Sequence, residues 1–153
     1  MTGPGPLFAK AKAQARGEAK DGLVLHADGA ARGNPGPAGA GAVLLDQKGQ
    51  EVACFQRYLG NATNNVAEYQ ALILGLQGAL DLGVSILTVK LDSELLVRQL
   101  SGAYRVKSPL LKPLHQKAQA LLRGFARAEV LHVFREKNRR ADQLANQAID
   151  RAG

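Results

Sequence analysis

The chain has 153 residues, enough for one domain with a substantial core, and its net charge of +7 gives a pI near 9.9. This charge favours a polyanionic partner, nucleic acid first and an anionic membrane surface second, although charge alone is a weak indicator. The single cysteine, Cys54, excludes an internal disulfide and a zinc site built from cysteines, and we expect it to be a small buried apolar side chain. Since the chain has neither an apolar run of about 18 residues nor a secretory signal, a cytoplasmic location is expected.

The first 20 residues differ in composition from the rest of the chain. They contain four basic residues and one acid, and Leu7 and Phe8 are almost their only large apolar side chains. We therefore predict a basic flexible tail over residues 1–20 and one folded domain over residues 21–153. A tail without a role and a tail that makes weak nonspecific phosphate contacts are both open at this point.

The domain begins with three predicted strands, "LVLHAD", "GAVLLD" and "EVACFQRYL", the last two joined by the turn signal "QKG". A long helix in "TNNVAEYQALILGLQGALDLG" and a strand in "ILTVKLD" follow. Two helices come next, "SELLVRQLSG" and "SPLLKPLHQKAQALLRGF". In the second of these, Ser108 is the predicted cap, Pro109 takes the first position, and Pro113 bends or delays the helix. A strand in "AEVLHVF" and a helix in "NRRADQLANQAIDRAG" complete the chain.

The element order βββαβααβα predicts an α/β fold with a five-stranded mixed sheet and helices on both faces. The first three strands should form an antiparallel meander, because short turns join them. The later strands should run parallel to the first, because helical crossovers precede them. Functional sites in such sheets form at the carboxyl ends of the parallel strands.

Four acids are expected near that edge. Asp28 and Asp92 end the first and fourth strands, and Glu68 and Asp142 lie in the predicted first turns of two helices. Each acid also has a structural explanation: a capping box with Asn65 for Glu68, the helix dipole for Asp142, and local turn hydrogen bonds for the other two. Four acids together repel one another, which divalent cations relieve, and oxygen ligands favour magnesium or manganese over zinc. Two such ions can activate a water and stabilise the leaving oxygen of a phosphodiester.

The segments "DGAARGNPGPAG", "ATNNVAEYQAL", "LDSELLVRQL" and "RADQLAN" carry these acids in a characteristic order and spacing. In this respect residues 22–150 resemble the type 1 ribonucleases H, in the wider group of ribonuclease H-like nucleases. The resemblance implies a ribonuclease H-like fold and metal-dependent endonucleolytic cleavage of the RNA strand of an RNA/DNA hybrid. It implies that Asp28, Glu68, Asp92 and Asp142 are catalytic and hold two Mg²⁺ ions, with Mn²⁺ as the alternative.

The resemblance also implies substrate contacts. The glycine-rich stretch after Asp28 does not fit a dinucleotide-binding loop, because a strand follows it instead of a helix. We expect this stretch to bring backbone close to the RNA strand, whose 2′-hydroxyls distinguish it from DNA. "TNN" is expected to reach the minor groove of the hybrid and a phosphate of the DNA strand. The residues implied here are Gly29, Ala31, Arg32, Gly33, Asn34, Thr63, Asn64, Asn65 and Ser93.

The chain departs from the best-known family members in two places. The connection "REKNRR" contains no histidine, and we expect Arg135 to contact a phosphate in its place, while His26, His115 and His132 are expected to be structural. A tryptophan- and lysine-rich protrusion is also missing. Residues 105–140 nevertheless hold ten lysines and arginines against two acids. The sequence "YRVKSPLLK" is expected to supply part of the grip through Tyr104, Arg105 and Lys107, whereas a solvated basic helix face is the alternative.

We therefore predict a ribonuclease H that acts as a monomer on RNA/DNA hybrids, with no membrane contact and no small-molecule cofactor. Three alternatives stay open on the sequence alone: a hybrid- or double-strand-binding module that does not cut, a related metal nuclease acting on DNA junctions or double-stranded RNA, and a nucleotide-binding protein. The presence of all four acids disfavours the first, and the strand after the glycine-rich stretch disfavours the last.

Overall fold

The computed structural model describes residues 21–152, so the predicted tail over residues 1–20 lies outside the described residues. The predicted order of strands and helices is confirmed, with one added turn of 3₁₀-helix at Arg135–Lys137. The strands are β1 (Asp21–Ala31), β2 (Gly36–Leu45), β3 (Glu51–Ala62), β4 (Ile86–Leu91) and β5 (Arg127–His132). The helices are α1 (Asn64–Asp81), α2 (Glu94–Leu100), α3 (Leu111–Leu122) and α4 (Arg139–Ala152).

The five strands form one mixed sheet in the order β3-β2-β1-β4-β5. The first three strands pair antiparallel, and β4 pairs parallel with both β1 and β5, as predicted. The turn between β2 and β3 is held by the Asp46 side chain, which accepts hydrogen bonds from the backbone N–H groups of Lys48 and Gln50. Gly49 has a positive φ of 83° in this turn, a conformation that glycine adopts without strain.

Helices cover both faces of the sheet. On one face, α1 lies against β1 and β2, where Gly75 contacts Leu25 and Ala42. On the other face, α4 lies across β2, β1 and β3. Because β2 is covered on both faces, its residues are buried almost without interruption. Val43 and Leu44, neighbours whose side chains point to opposite faces of the sheet, are both buried. Each fully buried aliphatic side chain of this kind contributes roughly 1.5–3 kcal/mol to stability.

Three local expectations about helix starts are wrong. Helix α1 is capped by Thr63, whose hydroxyl accepts a hydrogen bond from the N–H of Val66; Asn65 therefore lies inside the helix, and Glu68 lies beyond the first turn. Because Thr63 is the cap, no capping box links Asn65 to Glu68. Helix α3 begins at Leu111 instead of Pro109, and Ser108 organises the preceding turn by accepting from the N–H of Leu110.

Two further corrections concern the strands and the cysteine. Most of the glycine-rich stretch is regular strand, and only residues 32–35 form the turn between β1 and β2. Cys54 is exposed on β3 and not buried, because successive side chains of this outer strand alternate between the core and solvent. Within residues 21–152, no helix combines the length and apolar character needed to cross a lipid bilayer.

Candidate active site

Parallel pairing of β1 with β4 brings two acids to the same edge of the sheet. Ala27 lies opposite Leu91 in this pairing, so that the next residues along the two strands are Asp28 and Asp92. Asp92 follows the end of β4, as predicted, whereas Asp28 is not at the end of its strand, because β1 continues to Ala31 beside β2. The two carboxylates therefore lie where β1 loses β4 as its neighbour but keeps β2.

Gly29 allows the helix that carries Glu68 to approach β1. A Cβ atom at Gly29 would lie 2.2 Å from the carbonyl carbon of Ala67 and 2.4 Å from the backbone nitrogen of Glu68. These distances are far below van der Waals contact, so only glycine permits the backbones of β1 and α1 to touch here. At Gly29 the close approach is made by a helix of the chain itself, and the expected approach of this stretch to an RNA strand stays a prediction.

Gly41 plays the matching part on the opposite face. It pairs with Asp28 across β1 and β2, and a Cβ atom at this position would lie 2.4 Å from the carbonyl oxygen of Ala141. The start of α4 can thus lie directly on the sheet, which places Asp142, in the first turn of that helix, beside Asp28. Two glycines, one on β1 and one on β2, therefore let two acid-bearing helices approach the sheet from opposite faces beside Asp28.

The acids form a compact cluster. Asp28, Glu68 and Asp92 each offer a carboxylate oxygen, and these oxygens all lie within 4.8 Å of one another. Asp142 joins this group through a hydrogen bond between its carboxyl group and that of Asp28. Burial, the charges of Asp92 and Asp142, this hydrogen bond and the charge of Glu68 together raise the pKa of Asp28 to about 9.

Glu68 experiences opposing influences. Burial and then the charge of Asp92 raise the pKa of Glu68, while a hydrogen bond from the Ser93 hydroxyl and the charge of Arg135 lower it, with a net result of about 7. Ser93 has a second task, since its side-chain oxygen accepts from the N–H of Leu96 as the cap of α2. Arg135, which the sequence analysis assigned to phosphate, therefore lies close enough to act on a member of the cluster.

The cluster fits a divalent cation on chemical grounds. Its donors are carboxylate oxygens, which are hard ligands suited to magnesium or manganese and less suited to zinc. Burial first, and then the charge of neighbouring carboxylates, raises the pKa of both Asp28 and Glu68, so the fold places these acids where their charged forms are disfavoured. A bound cation would remove this repulsion.

One buried residue at the site was missed by the sequence analysis. The Asn138 side chain is only 1% exposed, and it donates hydrogen bonds to the carbonyl oxygen of Ala27 and to a carboxylate oxygen of Asp92. Its amide oxygen lies 3.1 Å from Nδ1 of His26. An asparagine just ahead of an acid-bearing helix is a common helix-start signal and gave no indication of these contacts.

The predicted substrate residues near the turn occupy two environments. Asn34 accepts a hydrogen bond from the backbone N–H of Asn64, so that the turn over residues 32–35 adjoins the start of α1 and Asn65. The Arg32 guanidinium instead points to α4, forming an ion pair with Asp150 at 2.8 Å and contacts with Asn146. The structure thus brings the turn together with "TNN", while the Arg32 side chain is held by residues of α4.

The predicted basic grip lies on an exposed connection between α2 and α3. Arg105 and Lys107 are exposed there, and Tyr104 is 48% exposed with its ring stacked under Arg98 at 5.4 Å. Arg98 also pairs with Glu94 on the same helix. The side chain of Tyr104 is therefore oriented by a cation–π contact and still presents much of its surface to solvent.

Comparison with known proteins gives a consistent result. Residues 26–148 match the family described as "Reverse transcriptase-like". The chain is 48% identical over 131 residues to the bifunctional protein Rv2228c of Mycobacterium tuberculosis, covering 85% of this chain and 36% of that protein. The ribonuclease HI of Halobacterium salinarum is 46% identical over 125 residues, and 63% of its length is covered. The chain thus spans about a third of the mycobacterial relative and less than two thirds of the halobacterial one.

Among solved structures, LC11-RNase H1 in complex with an RNA/DNA hybrid superposes with a TM-score of 0.81 at 44% sequence identity. That alignment covers 85% of this chain and 98% of the other. The shared fold therefore extends over most of this chain.

Proposed function

Since the chain belongs to the reverse transcriptase-like family and, within it, to the type 1 ribonucleases H, we propose that it is an endonuclease that hydrolyses the RNA strand of RNA/DNA hybrids. The observation that carries the proposal is that carboxylate oxygens of Asp28, Glu68 and Asp92 lie within 4.8 Å of one another. The Asp142 carboxyl group is hydrogen-bonded to that of Asp28. The hybrid bound to a relative of 44% identity supports the choice of substrate.

Asp28, Glu68, Asp92 and Asp142 would hold two Mg²⁺ ions, with Mn²⁺ as the alternative. When bound, such cations supply Lewis-acid stabilisation of the charge that develops on the phosphodiester and on the attacking water. The protein's own contribution is to hold four carboxylates in a partly buried position, where electrostatic interactions are stronger than in bulk water. Ser93 fixes the Glu68 carboxylate by donating a hydrogen bond to it.

The turn over residues 32–35 and the start of α1 would bind the minor groove of the hybrid. The Asn34 side chain is held by the N–H of Asn64, so these two stretches form one continuous surface beside the acids. In this proposal, backbone groups of Gly29, Ala31 and Gly33 and the side chains of Asn34, Asn64 and Asn65 meet the strand edges. Ribose 2′-hydroxyls donate and accept, so such polar groups distinguish RNA from DNA.

Basic residues would bind the phosphate backbone. Arg135, close to Glu68, would contact a phosphate near the scissile bond, and Tyr104, Arg105 and Lys107 would contact the DNA strand. Contacts of this type position the duplex without reading its sequence. We therefore expect little sequence preference and an affinity that falls steeply with salt concentration. Arg32 would join this surface only by exchanging its ion pair with Asp150 for a phosphate.

Three expectations concern the whole protein. Action as a monomer, independence from small-molecule cofactors and a cytoplasmic location stay predictions. Sedimentation of the purified chain would test the first, and cleavage in a buffer containing only salt and a divalent cation would test the second. Imaging of the full-length protein in its own cells would test the third.

The test of the function compares a labelled RNA/DNA hybrid with duplex DNA, duplex RNA and single-stranded RNA. Each substrate is incubated with wild type, with Asp28→Asn, and with Asp150→Asn, whose carboxylate is exposed on α4 away from the cluster. We expect cleavage of the RNA strand of the hybrid alone, in magnesium or manganese. It should be lost with chelator and in Asp28→Asn, and kept in Asp150→Asn.

Other outcomes would separate the alternatives. Cleavage of duplex RNA or of DNA junctions in preference to the hybrid would indicate a related metal nuclease with another substrate. Hybrid binding without cleavage by the wild type in either metal would indicate a binding module. Binding of hybrid by Asp28→Asn at wild-type affinity would show that a lost activity reflects lost chemistry and not lost folding.

A further inference from the structure

Asn138 occupies a position between the sheet and two members of the acid cluster. Its side chain is 1% exposed and all of its hydrogen-bonding groups are used: Nδ2 contacts the Ala27 carbonyl at 3.0 Å and the Asp92 Oδ2 at 3.1 Å, and Oδ1 contacts the His26 Nδ1 at 3.1 Å. We propose that Asn138, held by His26, is a positioning residue that orients the Asp92 carboxylate for divalent cation binding, an inference that rests on the proposed function.

The chemistry of the contacts explains why an amide is needed. The Ala27 carbonyl and the Asp92 carboxylate can only accept hydrogen bonds, so the group between them must donate twice. The NH₂ group of an asparagine does so without adding charge. Because this end of the amide must face the two acceptors, the opposite orientation of the side chain is excluded by repulsion between oxygens.

His26 completes the arrangement from the neighbouring position of β1. With the amide oxygen of Asn138 facing His26, only a protonated Nδ1 can make the 3.1 Å contact as a hydrogen bond. The imidazole is therefore a donor at Nδ1, and it prevents the amide from rotating. His26, expected from the sequence to be structural, thereby becomes part of a hydrogen-bonded series that ends on Asp92.

The consequence for the site concerns the direction of a carboxylate. A hydrogen bond to Oδ2 of Asp92 fixes the plane of that carboxylate and hence where its other oxygen points. The same Asn138 amide holds the carbonyl of Ala27, the residue just before Asp28. One buried side chain thus sets the relative placement of two acids on neighbouring strands. Hydrogen-bonding partners of metal ligands typically change metal affinity or activity by 10–100-fold when they are removed.

The test uses the full chain with two substitutions. Asn138→Leu keeps the branching at Cγ, in a somewhat larger side chain, and removes both N–H donors. His26→Phe keeps an aromatic ring and removes the Nδ1 donor. Gln119→Leu is the matched control, because this residue also donates from an amide to a backbone carbonyl, that of Leu100, but on α3 away from the acids. For each protein two quantities are measured: the Mg²⁺ concentration that gives half-maximal hybrid cleavage, and the rise in Tm that magnesium chloride alone causes in the free protein.

We expect Asn138→Leu to raise the half-saturating Mg²⁺ concentration by about tenfold or more and to lower kcat with little change in KM for the hybrid. His26→Phe should shift the same quantities in the same direction but less, because the amide can still donate to Asp92. Gln119→Leu should lower Tm without changing the Mg²⁺ dependence. If Asn138→Leu does not fold, the shift in His26→Phe decides the matter.

Two results would overturn the inference while leaving the proposed function intact: a wild-type Mg²⁺ dependence in both variants, or a shift of the same size in Gln119→Leu. Conversely, if the wild type failed to cleave the hybrid, the proposed function would fail. The Tm rise caused by magnesium chloride would still report on the positioning, because that measurement requires no substrate.

Discussion

Replacing Asp28 by asparagine is expected to stabilise the protein when divalent cations are absent. Asp28 is buried, only 7% exposed, and burial together with Asp92 and Asp142 raises its pKa from 3.8 to about 9. At pH 7 the Asp28 carboxyl group is therefore ionised in the unfolded chain and still protonated in the folded chain. About three pH units separate 3.8 from 7, at about 1.4 kcal/mol each, so the folded state is disfavoured by about 4 kcal/mol.

The sign of the pH dependence follows from the same linkage. The folded state binds more protons than the unfolded state between about pH 4 and pH 9, so the free energy of unfolding of the wild type falls as the pH rises through this window. Asp28→Asn lacks this contribution. We expect the free energy of unfolding of Asp28→Asn to equal that of the wild type near pH 4 and to exceed it increasingly towards pH 9. At pH 7 the gain should be about 1–4 kcal/mol, because asparagine remains a buried polar group.

Thermal unfolding in chelator at pH 4, 7 and 8.5 measures this effect. A chain of this size gains about 2–4 °C in Tm for each kcal/mol, so a rise of several degrees is expected at pH 7. Asp150→Asn is the control, because its carboxylate is 62% exposed and paired only at the surface with Arg32. Equal Tm values for wild type and Asp28→Asn at pH 8.5, or a gain that does not change with pH, would refute the idea of a crowded, partly protonated cluster.

The other predictions test the packing, the helix cap and the metal site. Gly29→Ala should lower both Tm and hybrid cleavage, because its Cβ would lie 2.2 Å from the Ala67 carbonyl carbon, whereas Gly124→Ala, with no atom nearer than 3.1 Å, should change cleavage little. Thr63→Ala should reduce the free energy of unfolding by about 1 kcal/mol, since it removes the cap of α1, and Thr63→Ser should restore most of it in urea titrations. Lowering the pH from 8 to 6 should raise the half-saturating Mg²⁺ concentration, because protons compete with cations at Glu68, whose pKa is about 7; a value independent of pH would contradict this.

The missing loop histidine has a structural counterpart in this chain. The connection after β5 is a single 3₁₀ turn, Arg135–Lys137, which leads directly to the buried Asn138 and then to α4. A connection this short places Arg135 near Glu68 and fixes Asn138 under Asp92. The connection that lacks the histidine is thus a compact segment, and Asn138 at its end is held by hydrogen bonds just before the helix that carries Asp142.

The sequence by itself determined the order of strands and helices and the edge at which the acids meet. Both follow from local information: apolar periodicity and turn residues specify the elements, and the helical crossover before β4 makes it parallel to β1, so that Asp28 and Asp92 lie side by side. The positions of Asp28 and Asp92 beside each other were therefore predictable. The start of α3 was not, because Pro113 fits the first turn of a helix that begins at Leu111 as well as the interior of a longer one.

Tertiary packing alone decided how the site is built. Gly29 was expected in a glycine-rich loop and Gly41 at the start of a strand, yet each is a strand position where a helix backbone touches the sheet. That contact depends on elements far away in the chain. The turn of Arg32 towards Asp150 and the exposure of Cys54 have the same origin. The hydrogen bonds of Asn138 join β1, the residue after β4 and the start of α4, and they span as many as 112 residues. Contacts over that range leave no periodic or compositional trace in one sequence.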